Sequence, residues 1–192
     1  MTTTAPTAHG VAAVVAGHEI TTAEVDRRLA ALRAGAFGSR LAGPHTAEGR
    51  NARRWVLQLL CAEWLVRREL QARDVVISGR RQPLSLPRAL ALGGVAAAVL
   101  AAVPEIGELR FEAAAVGPDA VLDYYRRNPD LFADRGIAEA DAAPLIRREL
   151  ERAAADQGFG TWLERRLATE VVLAPGFEHP AEPGHPDSTH RH

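Results

Sequence analysis

The sequence predicts a mainly α-helical protein with short β elements near its two ends. Apolar residues recur at helical spacing across residues 50–73, whereas short apolar runs lie at 11–15 and 171–173. The 192 residues are 47% hydrophobic, which is enough to bury a sizeable core. We therefore expect one helical domain over residues 11–173. A flexible arm at 1–10 precedes it, and a tail at 174–192, rich in proline and histidine, follows it.

Composition narrows the function classes. The net charge is −1, so no overall basic field favours nucleic acid or an anionic membrane as a partner. The chain contains no lysine, which excludes a P-loop lysine and a Schiff-base amine. The first ten residues contain no arginine or lysine, and the apolar run at 11–16 is too short for a signal peptide. These features predict a cytoplasmic protein.

The first elements are a hairpin and a helix. Residues 11–15 form an apolar strand, Gly17 and His18 offer a turn, and residues 19–21 return as a second strand. A hydroxyl at Thr21 or Thr22 stands before Glu24, which is typical of a helix N-terminus. This helix is predicted to end near Ala34, and a loop rich in glycine and proline follows to residue 49.

Residues 50–73 form the clearest helix, and it is apolar on two sides. One stripe begins at Trp55 and continues through Leu59, Ala62, Val66 and Leu70. A second facet, on the opposite side, consists of Leu57, Leu60, Cys61 and Trp64. Such a helix either lies at the centre of a bundle or offers one side to a ligand.

The segment 79–116 is an apolar insertion. It begins with a polar linker at 79–87, followed by fifteen residues, 89–103, without a charged or polar side chain and interrupted by Gly93 and Gly94. This run is shorter than the roughly 20 residues that a membrane span needs. We expect either a buried helix or one wall of a groove for an acyl chain or an apolar peptide.

The remaining elements are two helices and a strand. A short helix is predicted from Pro118 to residue 125, and a longer one begins at Asp141 with Pro144 in its first turn. Gly158 and Gly160 are expected to break or bend the longer helix. Residues 170–173 are a strand candidate.

Two segments together resemble a known family. Residues 11–25, with the sequence VAAVVAGHEITTAEV, and residues 117–132, with GPDAVLDYYRRNPDLF, are similar to parts of the chaperone core of SurA- and PrsA-type proteins. The exit of the long helix, QARDVVIS at 71–78, is similar as well. The resemblance covers roughly residues 11–78 and 117–173. It implies a SurA-like helical core in which the last strand pairs with the N-terminal hairpin.

In that family the second segment leads into a parvulin prolyl isomerase module. Here only eight residues separate Phe132 from Asp141, and none of them is histidine or cysteine. The resemblance therefore implies a protein that binds an apolar peptide or chain and lacks prolyl isomerase activity. The expected cleft lies between helix 50–73, the apolar segment 89–103 and helix 142–168. The residues predicted to bind the ligand are Leu57, Leu60, Trp64, Tyr124, Tyr125 and Phe132.

Two alternatives remain open at this point. One is a cis/trans isomerase of an unsaturated acyl or polyene chain, carried on a carrier protein or free, in which the Cys61 thiol adds reversibly and His179 acts as acid or base. The other is an oligomerising scaffold. The tail histidines lack the tight spacing of a structural zinc site, so no metal or other cofactor is predicted.

Overall fold

The computed structural model describes residues 10–35, 38–109, 111 and 115–178, and it divides into two compact units. The first unit holds the residues up to Glu105 and those from Leu163 onward, and the second holds Ile106–Trp162. The single domain predicted over 11–173 spans both units. The middle of the chain has a small core of its own around Val121, Ala142 and Ile146.

A three-stranded antiparallel sheet joins the beginning of the first unit to its end. Its strands are β1 (Val11–Val15), β2 (His18–Thr21) and β3 (Val171–Leu173), in the order β2-β1-β3. In the ladder between β1 and β3, Ala13 stands opposite Leu173. This confirms the mainly helical fold with a β element that pairs the N-terminal hairpin with a C-terminal strand.

Helix α1 (Thr22–Ala34) follows β2 without a loop, and a capping box fixes its start. The Thr21 hydroxyl accepts a hydrogen bond from the amide of Glu24 at 3.2 Å, and the Thr21 amide donates to the Glu24 carboxylate at 2.8 Å. Two otherwise unpaired amides are thereby satisfied. The bond from the Thr21 amide, foremost, and a 2.8 Å bond that the Thr21 hydroxyl donates to the same carboxylate lower the pKa of Glu24.

Helix α2 (Ala47–Ala72) is the central element of the first unit. Thr46 caps its N-terminus through a 3.0 Å bond from the amide of Gly49. Gly49 must remain glycine, because a Cβ there would collide with the carbonyl oxygen of Gly43. α2 packs against the sheet and α1 on one side and against α4 on the other.

The apolar insertion forms two helices rather than one. α3 (Leu86–Leu92) and α4 (Gly94–Ala102) pack against each other and meet at Gly93, whose φ of +79° is a conformation that favours glycine. The α4 side chains that face the core are Ala96, Ala97, Val99 and Leu100. The prediction of a buried helix therefore holds for α4 and not for α3, in which no residue is buried.

The second unit contains α5 (Pro118–Arg127) and most of α6 (Glu139–Glu170). The predicted break at Gly158 and Gly160 is absent, since α6 continues through both glycines. Their neighbours explain this: Phe159, Trp162 and Leu163 are buried, and apolar burial offsets the low helix propensity of two glycines.

Charged side chains fasten the end of α6 to α2 within the first unit. Arg166 pairs with Glu69 at 3.2 Å and also with Glu170, while Arg68 pairs with Glu170 at 2.9 Å. Glu69 pairs with Arg73 as well, so five residues form one network in front of β3. It holds the last turn of α6 where the strand must begin.

Candidate functional site

The facet of α2 predicted to line a cleft is part of the core of the first unit. Leu57 and Cys61 are fully buried in one cluster with Val15 of β1, Val25 of α1 and Phe177, a residue that follows β3. Leu60 is half-buried and packs against this cluster. The predicted ligand-binding role of this facet is not supported, because the sheet and α1 occupy the space where a ligand would lie. α2 is the central helix of a bundle.

Cys61 is not a reactive thiol in this structure. Its side chain is 1% exposed, and burial raises its pKa to about 12. Thiol addition requires the thiolate, which at neutral pH is present at only about one part in 10⁵ for such a group. The arrangement gives no support to the isomerase hypothesis based on Cys61.

Trp64 lies at the edge of the same core and is covered by polar side chains. The His18 ring stacks on its indole at a centroid distance of 5.1 Å and an interplanar angle of 10°. The Arg68 guanidinium lies 5.5 Å from the ring centroid. Both contacts keep the indole against the protein, so Trp64 is not presented as a ligand-binding surface.

The aromatic cluster of Tyr124, Tyr125 and Phe132 belongs to the core of the second unit. Phe132 stacks with Tyr125 at 5.6 Å and meets Tyr124 edge-on at 6.3 Å. The three rings cover the buried residues Val121 and Ile146. The Tyr125 hydroxyl donates to the carbonyl of Ile137 at 2.8 Å. In this position the rings close a small core, which is the structural role that aromatic burial predicts.

The first residues of the C-terminal tail are part of the core of the first unit. Phe177 is buried, and the Arg53 guanidinium lies 5.0 Å from its ring centroid. The core thus extends past residue 173, the predicted end of the domain, to Phe177. His179 lies outside the described residues. Among the part of the chain that the structure describes, no three His, Cys, Asp or Glu residues are grouped as metal ligands.

Sequence reasoning missed an exposed apolar ridge on α3. Leu86 and Leu90 are 71% and 73% exposed, although leucine is usually buried. Four residues apart, they lie on one face of the helix, one turn from each other. We call this pair the α3 ridge. The linker predicted at 79–87 includes Leu86, so the two leucines of the ridge fall in two different predicted elements.

The ridge is held in place by contacts on either side of it. Before α3, the amide of Gln82 donates to the carbonyl of Ala101 at the end of α4, at 2.9 Å. After α3, the indole of Trp55 lies over the start of α4, since a Cβ on Gly94 would be 3.7 Å from its Nε1. Trp55 is itself 37% exposed. It therefore adds apolar surface at the turn between α3 and α4.

A buried carboxylate anchors the segment that leads to the ridge. Glu105 accepts hydrogen bonds from both the hydroxyl and the amide of Ser78, the latter at 2.9 Å. These bonds, together with the nearby Arg67, lower the pKa of Glu105. A charged acceptor makes them stronger than neutral bonds. They fix the end of the α2–α3 connection to the residues that follow α4.

Comparisons with known proteins add one partial match. The model of a family of unknown function (DUF7158) matches residues 11–48, which comprise the N-terminal hairpin, α1 and the loop before α2. No curated protein and no solved structure matches the chain. None of the helices that the structure describes is long and apolar enough to cross a membrane. Over residues 11–48, then, the chain is similar to that family.

Proposed function

We propose that this chain is a non-catalytic binding protein of the chaperone type, related to the SurA-like core, which holds apolar polypeptide against the α3 ridge. One observation carries the proposal: α3 has no buried residue, yet five of its seven residues are leucine or alanine. Leucine and alanine are usually buried, so composition alone does not explain why α3 lies on the surface. An exposed apolar patch on a folded protein commonly marks an interaction site.

The relationship to the SurA type is supported by the order of the elements. The N-terminal hairpin, the capped α1, the long α2 and the closing β3 follow the sequence of elements that the resemblance implies. Between Phe132 and Asp141 the chain makes one short turn at Ala133–Arg135 and then begins α6. That interval leaves no room for a prolyl isomerase module.

The shape of the ridge favours a polypeptide over a free acyl or polyene chain. A small ligand requires a concave site that covers most of its surface. Leu86 and Leu90 instead project from a helix and are mostly exposed. Ridges formed by residues four apart fit into the grooves of a second helix. We therefore assign the ridge to contact with another polypeptide.

Because the ridge is small, its apolar contacts alone give only a weak affinity for a polypeptide. Full burial of a leucine contributes about 1.5–3 kcal/mol, and both side chains still have most of this to gain. Two of them supply about 2–4 kcal/mol, which corresponds at best to about millimolar dissociation constants. Weak, reversible holding of this kind suits a chaperone.

The test is aggregation suppression by the full-length protein. Light scattering of chemically reduced insulin, whose B chain aggregates, is followed with and without the protein. We expect suppression by the wild type and by the matched control Leu145→Ser, which changes a leucine that is 56% exposed in the second unit. The double variant Leu86→Ser/Leu90→Ser should suppress weakly or not at all.

Two results would overturn the proposal. One is a wild type that leaves the scattering unchanged, and the other is equal suppression by the wild type and the Leu86/Leu90 variant. A parallel assay of proline isomerisation in a short peptide checks the second half of the proposal. Uncatalysed isomerisation takes tens to hundreds of seconds, and a faster reaction in the presence of the protein would contradict the absence of catalysis.

A further inference from the structure

The chain segment that carries the α3 ridge has charged residues of one sign only. Between Asp74 and Glu105 the chain carries three arginines, Arg80, Arg81 and Arg88, and no acidic residue. The whole chain has a net charge of −1, so the remaining residues carry −4. The apolar ridge therefore lies in a locally basic segment of a chain that is otherwise acidic.

The two linker arginines are placed beside the ridge. Arg80 and Arg81 are exposed, and they directly precede Gln82, whose amide is bonded to Ala101 at the end of α4. Because α3 and α4 pack as a hairpin around Gly93, the end of α4 lies near the start of α3, where Leu86 projects. The two exposed arginines thus lie on the segment that leads directly into the start of α3.

From this charge complementarity we infer that the partner of the α3 ridge is an acidic amphipathic helix of another polypeptide. Its apolar face packs on Leu86 and Leu90, and carboxylates on its flank pair with Arg80 and Arg81. Guanidinium groups bind carboxylates through two parallel hydrogen bonds, which fixes geometry as well as charge. This inference rests on the proposed binding function and specifies its partner.

A helix is favoured over an anionic bilayer by the extent of the surface. α3 has seven residues, which is a length of about 10 Å. Helices that lie in a membrane interface present a longer apolar face with several large side chains. Two leucines one turn apart are instead the spacing by which a helix packs against a single neighbouring helix.

The test uses two 18-residue helical peptides with the same leucine face and the same dye. Glutamate occupies the polar face of one peptide and lysine that of the other. Binding to the full chain is measured by fluorescence anisotropy at low and high salt. We expect the acidic peptide to bind at least about tenfold more tightly than the basic one, and this difference to shrink as salt increases.

The variants assign this preference to the linker. Arg80→Ser/Arg81→Ser should lose most of the discrimination between the peptides. The control Arg126→Ser/Arg127→Ser changes an exposed arginine pair at the end of α5 and should retain it. Leu86→Ser/Leu90→Ser should weaken binding of both peptides.

The outcomes separate the inference from the proposed function. Equal affinity for the two peptides, or discrimination that survives Arg80→Ser/Arg81→Ser, overturns the acidic partner while suppression of aggregation still supports the binding function. Binding to phosphatidylserine vesicles without binding to the acidic peptide overturns it in favour of a membrane. A wild-type protein that neither suppresses aggregation nor binds either peptide overturns both the inference and the proposed function.

Discussion

Replacement of Leu57 by alanine tests whether α2 is a central helix or one wall of a cleft. The side chain of Leu57 is fully buried between α2, the sheet and α1. Leu57→Ala removes three carbon atoms, a transfer loss of about 2.4 kcal/mol at about 0.8 kcal/mol per carbon. Incomplete collapse of the cavity raises the total to about 3–4 kcal/mol. We expect the free energy of unfolding to fall by this amount.

The matched control is Leu90→Ala on α3. Leu90 is 73% exposed, so the same chemical change removes only about a quarter as much buried surface and costs less than about 0.7 kcal/mol. Both variants are compared with the wild type by urea titration followed by circular dichroism at 222 nm. A loss below about 1 kcal/mol for Leu57→Ala would refute the packed core and reopen that facet to a ligand.

Three further predictions concern local interactions. Cys61 should resist iodoacetamide in the native protein at pH 8 and react once the chain is unfolded. Its pKa is about 12 in the folded protein and about 9 in the unfolded chain. The stability that the neutral thiol contributes should therefore be complete below pH 9 and be lost as pH rises toward 12. Rapid native alkylation would contradict its burial. Thr21→Ala should lower the free energy of unfolding by about 1 kcal/mol in thermal or urea titrations, through loss of the α1 cap. An unchanged value would show that the cap is dispensable. Glu105→Gln should destabilise the protein at pH 7 by about 1 kcal/mol. Since the bonds from Ser78 lower the pKa of Glu105, its contribution is present above pH 4.5 and lost as pH falls through the folded value, so the variant and the wild type should converge in acid. A difference that stays constant as pH is lowered progressively from 4.5 until the protein unfolds would contradict this.

The elements that depend on local signals were predictable from the sequence. The Thr21 cap, the long α2 and the strand at the end of α6 each have a local pattern, and the structure contains all three. Boundaries were less accurate where packing overrides propensity. Gly158 and Gly160 lower helix propensity, yet α6 continues because the side chains around them are buried.

The candidate site was harder to predict, because exposure depends on tertiary contacts. Both apolar facets of α2 look alike in a helical projection. Only the positions of the sheet and α4 decide that both are covered, except at Trp55. The same limitation hid the α3 ridge. A run of apolar residues predicts burial, and the turn at Gly93 divides it into one helix that is buried and one that is not.

The pairing of β1 with β3, in which Ala13 lies opposite Leu173, also affects folding during synthesis. The partner strand lies 160 positions later in the chain, so at about 5–20 residues per second a ribosome needs about 10–30 s to supply it. Until then one edge of the first strand has no neighbour, and bare strand edges invite wrong associations. Each nascent copy of the chain therefore spends that interval with one edge of β1 open to non-native strand pairing.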